Sequence, residues 1–208
     1  SALILLTPIL LPVCFVLLFT GEGEVFYMQS RIGLNGKTFR LLKFATMLKN
    51  SPQIGAGAIT VTNDPRVLPV GRFLRHTKIN ELPQILNILL GDMSIVGPRP
   101  LMQKQFGFYD DAAREKISSL RPGLTGVGSI VFRDEERFFD GINDPDEIYQ
   151  AKISPAKQML ELWYVDNVSI SLYFKLIALT AVSVMLPSYD ASNFLPQKIR
   201  NQLNELLG

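Results

Sequence analysis

The chain opens with a long apolar run. Residues 2–20 contain no charged side chain, and a straight helix of that length would be about 28 Å long, close to the hydrocarbon thickness of a bilayer. Pro8 and Pro12 lie inside the run. A proline within a helix lacks a backbone donor and clashes with the preceding turn, so Pro8 predicts a kink. The hydroxyl of Thr7 could satisfy a carbonyl group that the kink frees, which makes a break tolerable in lipid.

Three arrangements suit this segment: a re-entrant helix that enters and leaves by one membrane face, a spanning helix, and a buried helix of a soluble protein. From the residues alone the first two are nearly equal. A cleaved signal peptide would need a basic start and a small-residue cleavage site, and neither is visible. The chain begins at Ser1 without Met, which predicts an N-terminal truncation.

The pattern after residue 20 predicts a small β-hairpin followed by helices. Segments 25–29 and 38–44 read as strands on either side of the Asn35-Gly36 turn signal. Segments 51–57 and 121–126 read as loops. Helical patterns follow at 67–77, 81–90, 110–120, 155–165, 170–186 and 197–207.

Two of these helices have features of an interface. Trp163 and Tyr164 form a pair that is enriched where membrane meets water. Segment 170–186 is strongly apolar, but Lys175 interrupts it and Pro187 ends it, which indicates an interfacial or buried helix. The fold class is therefore α/β and mostly helical, with a membrane segment at 1–20 and one further domain at 21–208, since 208 residues suffice for one domain with a core.

Composition excludes several kinds of chemistry. Cys14 is the only cysteine and His76 the only histidine. An intrachain disulfide and a cysteine metal cluster are therefore excluded, and a histidine zinc site or a Ser-His-Asp triad is disfavoured. Catalysis would have to use carboxylates, arginines, lysines, hydroxyls or a hard cation.

Net charge is only +2, but the charges are unevenly distributed. Segment 25–80 has a single acid, Asp64, and nine cationic side chains: Arg31, Lys37, Arg40, Lys43, Lys49, Arg66, Arg72, Arg75 and Lys78. Such a segment suits a phosphorylated substrate, nucleic acid or anionic lipid, or is simply a solvated face. The apolar start of the chain and the expected lack of exposed aromatics interleaved with the basic residues argue against nucleic acid.

The stretch 75–100 contains the candidate chemistry. Asn80 and Glu81 lie at a predicted helix start, where the helix dipole favours a carboxylate or a bound phosphate; an ordinary helix cap with a first-turn acid fits equally. Arg99 lies between two prolines, so a stiff loop would present its guanidinium for bidentate phosphate recognition, unless it is only a rigid surface turn. Arg75 could face the same pocket, and Asp92 could bind a cation or cap a turn.

The sequence resembles a bacterial sugar transferase of the monotopic phosphoglycosyl transferase family. The resemblance covers nearly the whole chain and includes the Thr7-Pro8 break and the strand-turn-strand 25–44. The remaining motifs are KFATM at 43–47, NELPQ at 80–84, GDMS at 91–94, GPRP at 97–100 and RPGLTG at 121–126.

The resemblance implies a re-entrant helix and interfacial helices that hold a catalytic region on the cytoplasmic face of the bacterial inner membrane. It implies transfer of a sugar phosphate from a nucleotide sugar, usually a UDP-sugar, to polyprenyl (undecaprenyl) phosphate with release of UMP, the first membrane step of a surface glycan pathway. Nucleotide sugar, polyprenyl phosphate and membrane lipids are the implied partners, with no nucleic acid and with a homo-oligomer as an option. In the family an Asp-Glu pair acts at positions 80 and 81: the Asp attacks the diphosphate, and the Glu helps to hold Mg²⁺.

Asn80 departs from this pattern, because a carboxamide is a poor nucleophile. The substitution could be deliberate, could belong to a natural branch in which Glu81 takes over or transfer is direct, or could mark a non-catalytic member that binds nucleotide sugar or scaffolds glycan assembly. The resemblance assigns Glu81 as Mg²⁺ ligand and candidate nucleophile, and Arg75 and Arg99 as phosphate ligands. Asp92 is assigned a structural or metal-supporting role, and Arg133 a contact with nucleotide or sugar.

Overall fold

The apolar segment at the start of the chain forms one helix that packs beside the first half of the domain. In the computed structural model, which describes residues 2–54, 59–142, 144–186 and 189–208, helix α1 spans Ala2–Leu18 and its helical assignment continues through Pro8 and Pro12. Leu17 is buried against Phe44 and Leu74. The predicted helix-break-helix is thus not confirmed, and the re-entrant arrangement stays a prediction.

The opposite side of α1 is apolar and exposed, notably at Leu11 and Phe15, and Phe19 just after the helix is exposed as well. Further exposed apolar side chains lie at Phe26, Tyr27, Met28, Phe73, Leu89 and Leu90. Within the described ranges, no helix is both long enough and apolar enough to cross a bilayer.

The predicted β-hairpin is confirmed. Strands β1 (Phe26–Ile32) and β2 (Thr38–Phe44) are antiparallel, and Phe26 lies opposite Phe44. The turn uses left-handed backbone at Asn35 (φ 55°) and Gly36 (φ 73°), the conformation that the Asn-Gly signal favours. The first strand extends three residues beyond the predicted end.

Helices form most of the remaining chain. In the described residues they are α2 (Pro69–His76), α3 (Ile85–Leu89), α4 (Gln103–Phe106), α5 (Asp111–Ser118), α6 (Val127–Val131), α7 (Pro145–Ile148), α8 (Ser154–Asp166), α9 (Ile170–Met185) and α10 (Gln197–Leu207). The prediction of one α-helix over 81–90 is wrong in its first half. A 3₁₀ helix with Pro83 inside it spans Ile79–Gln84, and α3 follows it. Pro83 cannot donate to a regular α-helical ladder, which favours the tighter start.

A second, two-stranded sheet was not predicted. Strand β3 (Ser94–Val96) runs parallel to β4 (Gly123–Thr125), inside the segment predicted as a loop. The two chain segments approach so closely that a Cβ on Gly126 would lie 2.1 Å from the carbonyl oxygen of Gly97. The loop 97–100 therefore packs tightly against the segment 121–126.

The main core lies between α6, α8, α9 and α10. Its most buried members include Val127, Tyr149, Ile153, Leu160 and Leu176. Tyr164 is buried in this core, so the expectation that it lies at a membrane interface is wrong for this residue. Its neighbour Trp163 packs edge-on against Phe194, with ring centroids 6.2 Å apart. Helix α9 buries Leu176, Leu179 and Ser183 but exposes Ile170, Phe174 and Met185, as an interfacial helix would.

Candidate functional site

The centre of the candidate site is the carboxylate of Glu81. It lies on the 3₁₀ helix Ile79–Gln84, and its backbone N–H donates to the Lys78 carbonyl oxygen at 3.1 Å. Lys78 has left-handed backbone at φ 60°, a strained conformation for a non-glycine residue and one that collects at functional sites. The Glu81 side chain is 20% exposed, and its Oε1 lies 3.6 Å from the Lys43 Nζ on β2.

Five cations act electrostatically on this carboxylate, and a sixth, Arg133, acts on the adjacent Lys78. We call the six the cationic cluster: Arg31, Lys43, Arg75, Lys78, Arg99 and Arg133. Burial alone would raise the pKa of Glu81, but attraction to Lys43, Arg99, Lys78 and Arg75 lowers that pKa to about 2. Glu81 is therefore ionised at neutral pH.

The cationic cluster has more positive charge than Glu81 can neutralise. The pKa of Lys43 falls to about 8, first because it is buried and then because Arg31, Arg99 and Arg75 repel its charged form, although Glu81 opposes the change. Burial likewise lowers the pKa of Lys78. Neighbouring cations lower one another's pKa, and an anion that binds between them stabilises their charged forms. The site is thus electrostatically suited to a multiply charged phosphate ligand.

Asn80 lies beside Glu81 and is only 6% exposed. Its Oδ1 is buried without a hydrogen-bond partner in the described part of the chain. An unsatisfied buried acceptor costs about 1–3 kcal/mol, so this oxygen is suited to receive a donor or a cation from a ligand.

Arg99 is fixed from several directions. Its backbone N–H donates to Glu161 Oε1 at 3.2 Å, and its Nη1 donates to Ser129 Oγ on α6 at 3.1 Å. The carbonyl of the following Pro100 accepts from Arg31 Nη1 at 3.1 Å. The predicted stiff loop is therefore built from contacts as well as from its two prolines.

The other two predicted arginines also lie in the cationic cluster. Arg75, at the end of α2, acts electrostatically on Glu81, and its Nη1 lies 3.9 Å from Met47 Sδ. Arg133 acts on Lys78, and its Nη1 is buried with no hydrogen-bond partner among the residues described. Donors without protein partners are available to a ligand.

Asp92 makes a structural contact. Its Oδ2 accepts from Asn87 Nδ2 at 3.3 Å. Asn87 in turn bonds the edge of β2, donating to the Arg40 carbonyl at 2.8 Å and accepting from the Leu42 N–H at 3.0 Å. The described residues contain no group of three or more His, Cys, Asp or Glu side chains able to hold a metal ion. A metal-supporting role for Asp92 stays a prediction.

Helix α1 adjoins the site through apolar contacts. Leu17 of α1 belongs to the buried cluster of Phe44 and Leu74, against which Ile79 packs. Ile79 begins the 3₁₀ helix that holds Asn80 and Glu81. Thr7 and Pro8 lie within α1, and no break is assigned there.

Sequence reasoning assigned no site role to Arg31, Lys43, Lys78 or Glu161. The first three belong to the basic segment 25–80, whose excess of positive charge is visible in the sequence. That excess does not distinguish them from lysines and arginines that face solvent. Glu161 is a single acid in an otherwise ordinary helical pattern and gives no such signal. Its burial at 2% exposure is visible only in the fold.

The chain is similar in sequence to known proteins. A model of the bacterial sugar transferase family matches residues 1–187. The exopolysaccharide production protein ExoY of Sinorhizobium fredii is 41% identical over 148 residues, which cover 64% of this chain and 65% of ExoY. The exopolysaccharide production protein PSS of Rhizobium leguminosarum bv. phaseoli is 36% identical over 188 residues, 88% of each chain.

A more distant relative has a more informative name. The undecaprenyl-phosphate galactose phosphotransferase of Salmonella typhimurium is 31% identical over 179 residues, which cover 79% of this chain and 34% of that protein. The chain thus spans slightly less than two thirds of ExoY and about one third of the Salmonella protein.

Proposed function

Because the chain belongs to the bacterial sugar transferase family, we propose that it transfers a sugar phosphate from a UDP-sugar to polyprenyl phosphate at a membrane surface. The observation that supports this most is the ionised carboxylate of Glu81 inside the cationic cluster. The Salmonella relative is named for undecaprenyl phosphate and a sugar phosphate transfer, which supports both the acceptor and the reaction.

The cationic cluster suits two phosphorylated substrates. Arg99 has a fixed backbone and a guanidinium suited to bidentate contact with phosphate oxygens. Arg75 and Arg99 would bind the donor diphosphate. Arg133, whose buried Nη1 has no partner among the described residues, would contact the nucleotide or sugar. Lysines and arginines that neutralise transferring phosphoryl groups act mainly by stabilising the charge of the transition state.

The reaction proceeds best by direct displacement. An oxygen of the polyprenyl phosphate attacks the β-phosphorus of the donor, a new P–O bond forms, and the bond from that phosphorus to the bridging oxygen breaks. UMP leaves with the bonding electron pair. The carboxamide of Asn80 is a poor nucleophile, which favours attack by the acceptor over a covalent enzyme intermediate at that position.

The residues present fit a magnesium ion that arrives with the diphosphate. Mg²⁺ in such sites is held by one or two protein oxygens together with substrate phosphates. Glu81 supplies a carboxylate, and Asn80 supplies its buried Oδ1, which has no partner in the part of the chain that the structure describes. When bound, the ion would neutralise charge on the diphosphate. Glu81 and Asn80 would hold it, while Lys43 keeps Glu81 ionised.

A location on the cytoplasmic face of the bacterial inner membrane is part of the proposal. The exposed apolar side of α1 and the exposed apolar residues of β1 support contact with lipid. A re-entrant helix would leave both of its ends on the cytoplasmic side. Labelling of a cysteine introduced at the N-terminus by a reagent added from the periplasm would contradict it.

Asn80 favours one alternative: a non-catalytic member that binds nucleotide sugar. The discriminating experiment measures UMP release from a panel of UDP-sugars with undecaprenyl phosphate and Mg²⁺. Release by this chain, abolished in Glu81→Gln and retained in the exposed-acid control Glu136→Gln, supports catalysis with Asn80 in place. Release only after Asn80→Asp identifies an inactivated enzyme. Failure of both forms across the panel would contradict the proposed activity.

A further inference from the structure

A small cavity lies behind the loop that presents Arg99. Its volume is about 20 Å³, and Tyr109, Glu161, Pro98, Leu101 and Ile117 are among the residues that line it. A cavity of that size has room for one water molecule, provided that polar groups are available to bind it.

Two buried polar atoms belong to residues that line this cavity. Tyr109 is 3% exposed and Glu161 is 2% exposed. Neither Tyr109 Oη nor Glu161 Oε2 has a hydrogen-bond partner among the described residues. The two groups also interact electrostatically: burial raises the pKa of Tyr109, and the charge of Glu161 raises it further. A buried hydroxyl and a buried carboxyl oxygen without partners are costly unless they are bridged.

The other oxygen of the same carboxylate supports the phosphate-binding loop. Glu161 Oε1 accepts the backbone N–H of Arg99 at 3.2 Å. A Cβ on Gly128 of α6 would lie only 2.3 Å from that oxygen, so the carboxylate fits tightly against this helix. The next residue on α6, Ser129, accepts a hydrogen bond from Arg99 Nη1. The backbone and the guanidinium of Arg99 are thus both tied to one compact region.

We propose that Glu161 and Tyr109, bridged by one buried water molecule, form a positioning unit that holds the Arg99 loop for phosphate binding. Glu161 is a positioning residue because it acts through Arg99 and does not itself reach the site. The proposal rests on the proposed function for the identity of the phosphate ligand, but the hydrogen-bonded unit is defined by the fold alone.

The carboxyl of Glu161 faces two cations, Arg99 and Lys157, and two tyrosines, Tyr109 and Tyr164. Burial raises the pKa of Glu161, the bond from the Arg99 N–H and the charges of Arg99 and Lys157 oppose this, and the result is about 7. A carboxyl with this pKa is protonated in part of the molecules at neutral pH, and that form can donate from Oε2 to the bridging water while Oε1 accepts from Arg99.

The test measures hydrogen exchange of the Arg99 backbone amide in the full chain in lipid nanodiscs, without substrate. Glu161→Ala removes the acceptor and should accelerate exchange about tenfold. Glu161→Gln keeps an amide oxygen at the same place and should stay within about twofold of wild type. Gly128→Ala displaces the carboxylate by a second route and should also accelerate exchange, which covers the case in which Glu161→Ala does not fold.

The water bridge has its own measurement. Glu161→Gln and Tyr109→Phe should have non-additive effects on the melting temperature, since both residues bind the same water. Glu161→Gln paired with Tyr173→Phe should be additive, because Tyr173 does not line the cavity. Additivity in both pairs would overturn the bridge. An Arg99 amide that exchanges equally in all variants would overturn the positioning role.

These outcomes are separable from failure of the proposed function. If wild type releases no UMP but the exchange and melting results are as expected, the unit stands and the assigned reaction fails. If wild type is active, Glu161→Ala should raise the KM for the donor at least fivefold. Glu161→Gln should keep that KM close to the wild-type value. An unchanged KM in a folded Glu161→Ala would contradict the link between the unit and phosphate binding.

Discussion

Replacing Glu81 with Gln tests the electrostatic balance of the site. The substitution keeps the shape of the side chain and removes the negative charge of Glu81, which the cationic cluster stabilises. The pKa of Glu81 lies at about 2, against an ordinary value of 4.5. That difference corresponds to about 3 kcal/mol of folding stability, an upper figure because the side chain is 20% exposed.

The sign of the pH dependence follows from the lowered pKa. The unfolded chain binds a proton at Glu81 at a higher pH than the folded chain does, so the stabilisation is fully present above about pH 4.5 and disappears as the pH falls towards 2. At pH 7 Glu81→Gln should therefore lower the melting temperature by about 6–12 °C for a domain of this size. At about pH 2.5 the two proteins should melt within about 3 °C of each other.

Thermal unfolding in detergent at both pH values checks this result. Glu136→Gln removes an exposed acid with no ion pair among the described residues and should change the melting temperature by less than about 2 °C. If Glu81→Gln melts like wild type at pH 7, or if its deficit persists unchanged at pH 2.5, the cationic cluster does not act on Glu81 as the structure indicates.

Three further substitutions test contacts that hold the fold. Gly126→Ala should cost about 2 kcal/mol or more in thermal unfolding, since its Cβ would lie 2.1 Å from the Gly97 carbonyl oxygen. Arg66→Lys should cost about 3 kcal/mol in the same assay, because it abolishes the fork to Asp64 at 2.5 Å and the bonds to backbone carbonyls at 2.6–2.9 Å. Lys78→Gly should be more stable than Lys78→Ala by about 1 kcal/mol, as only glycine adopts left-handed backbone without strain.

Each of these has a result that would contradict it. Gly107→Ala is the control for Gly126→Ala, because a Cβ at position 107 would lie 3.3 Å from its nearest neighbour. Equal losses of stability in the two variants would refute the close approach of Gly126 to Gly97. An Arg66→Lys protein as stable as wild type would show that the carbonyl contacts contribute little. If Lys78→Ala proved more stable than Lys78→Gly, the left-handed conformation would not be a source of strain.

The sequence predicted those elements whose signals are local. The hairpin follows from the Asn35-Gly36 turn and the strands beside it. Helices α5 and α9 begin at side-chain caps, Asp110 and Ser169, and each was predicted to within a few residues. The membership of Arg75, Arg99 and Glu81 in one site came from ordered motifs, and the structure brings them together.

Other features depend on contacts between distant residues and leave no local signal. Strands β3 and β4 have three residues each, too few to show an alternating pattern. Lys43 meets Glu81 only because β2 packs beside the 3₁₀ helix. The burial of Glu161 depends on a cavity lined by segments more than sixty residues apart along the chain. Burial converts an ordinary acid into a group that holds the Arg99 loop, and pattern analysis cannot detect that change.

The most direct test of the central claim follows the phosphorus atom. The protein is incubated with undecaprenyl phosphate, Mg²⁺ and a panel of UDP-sugars labelled with ³²P in the β-phosphate, and the lipid fraction is extracted and counted. Sugar phosphate transfer at the Glu81 site predicts label in the lipid for wild type and none for Glu81→Gln. Label that remains in the aqueous nucleotide for every donor, or that enters the lipid equally with Glu81→Gln, would contradict the account.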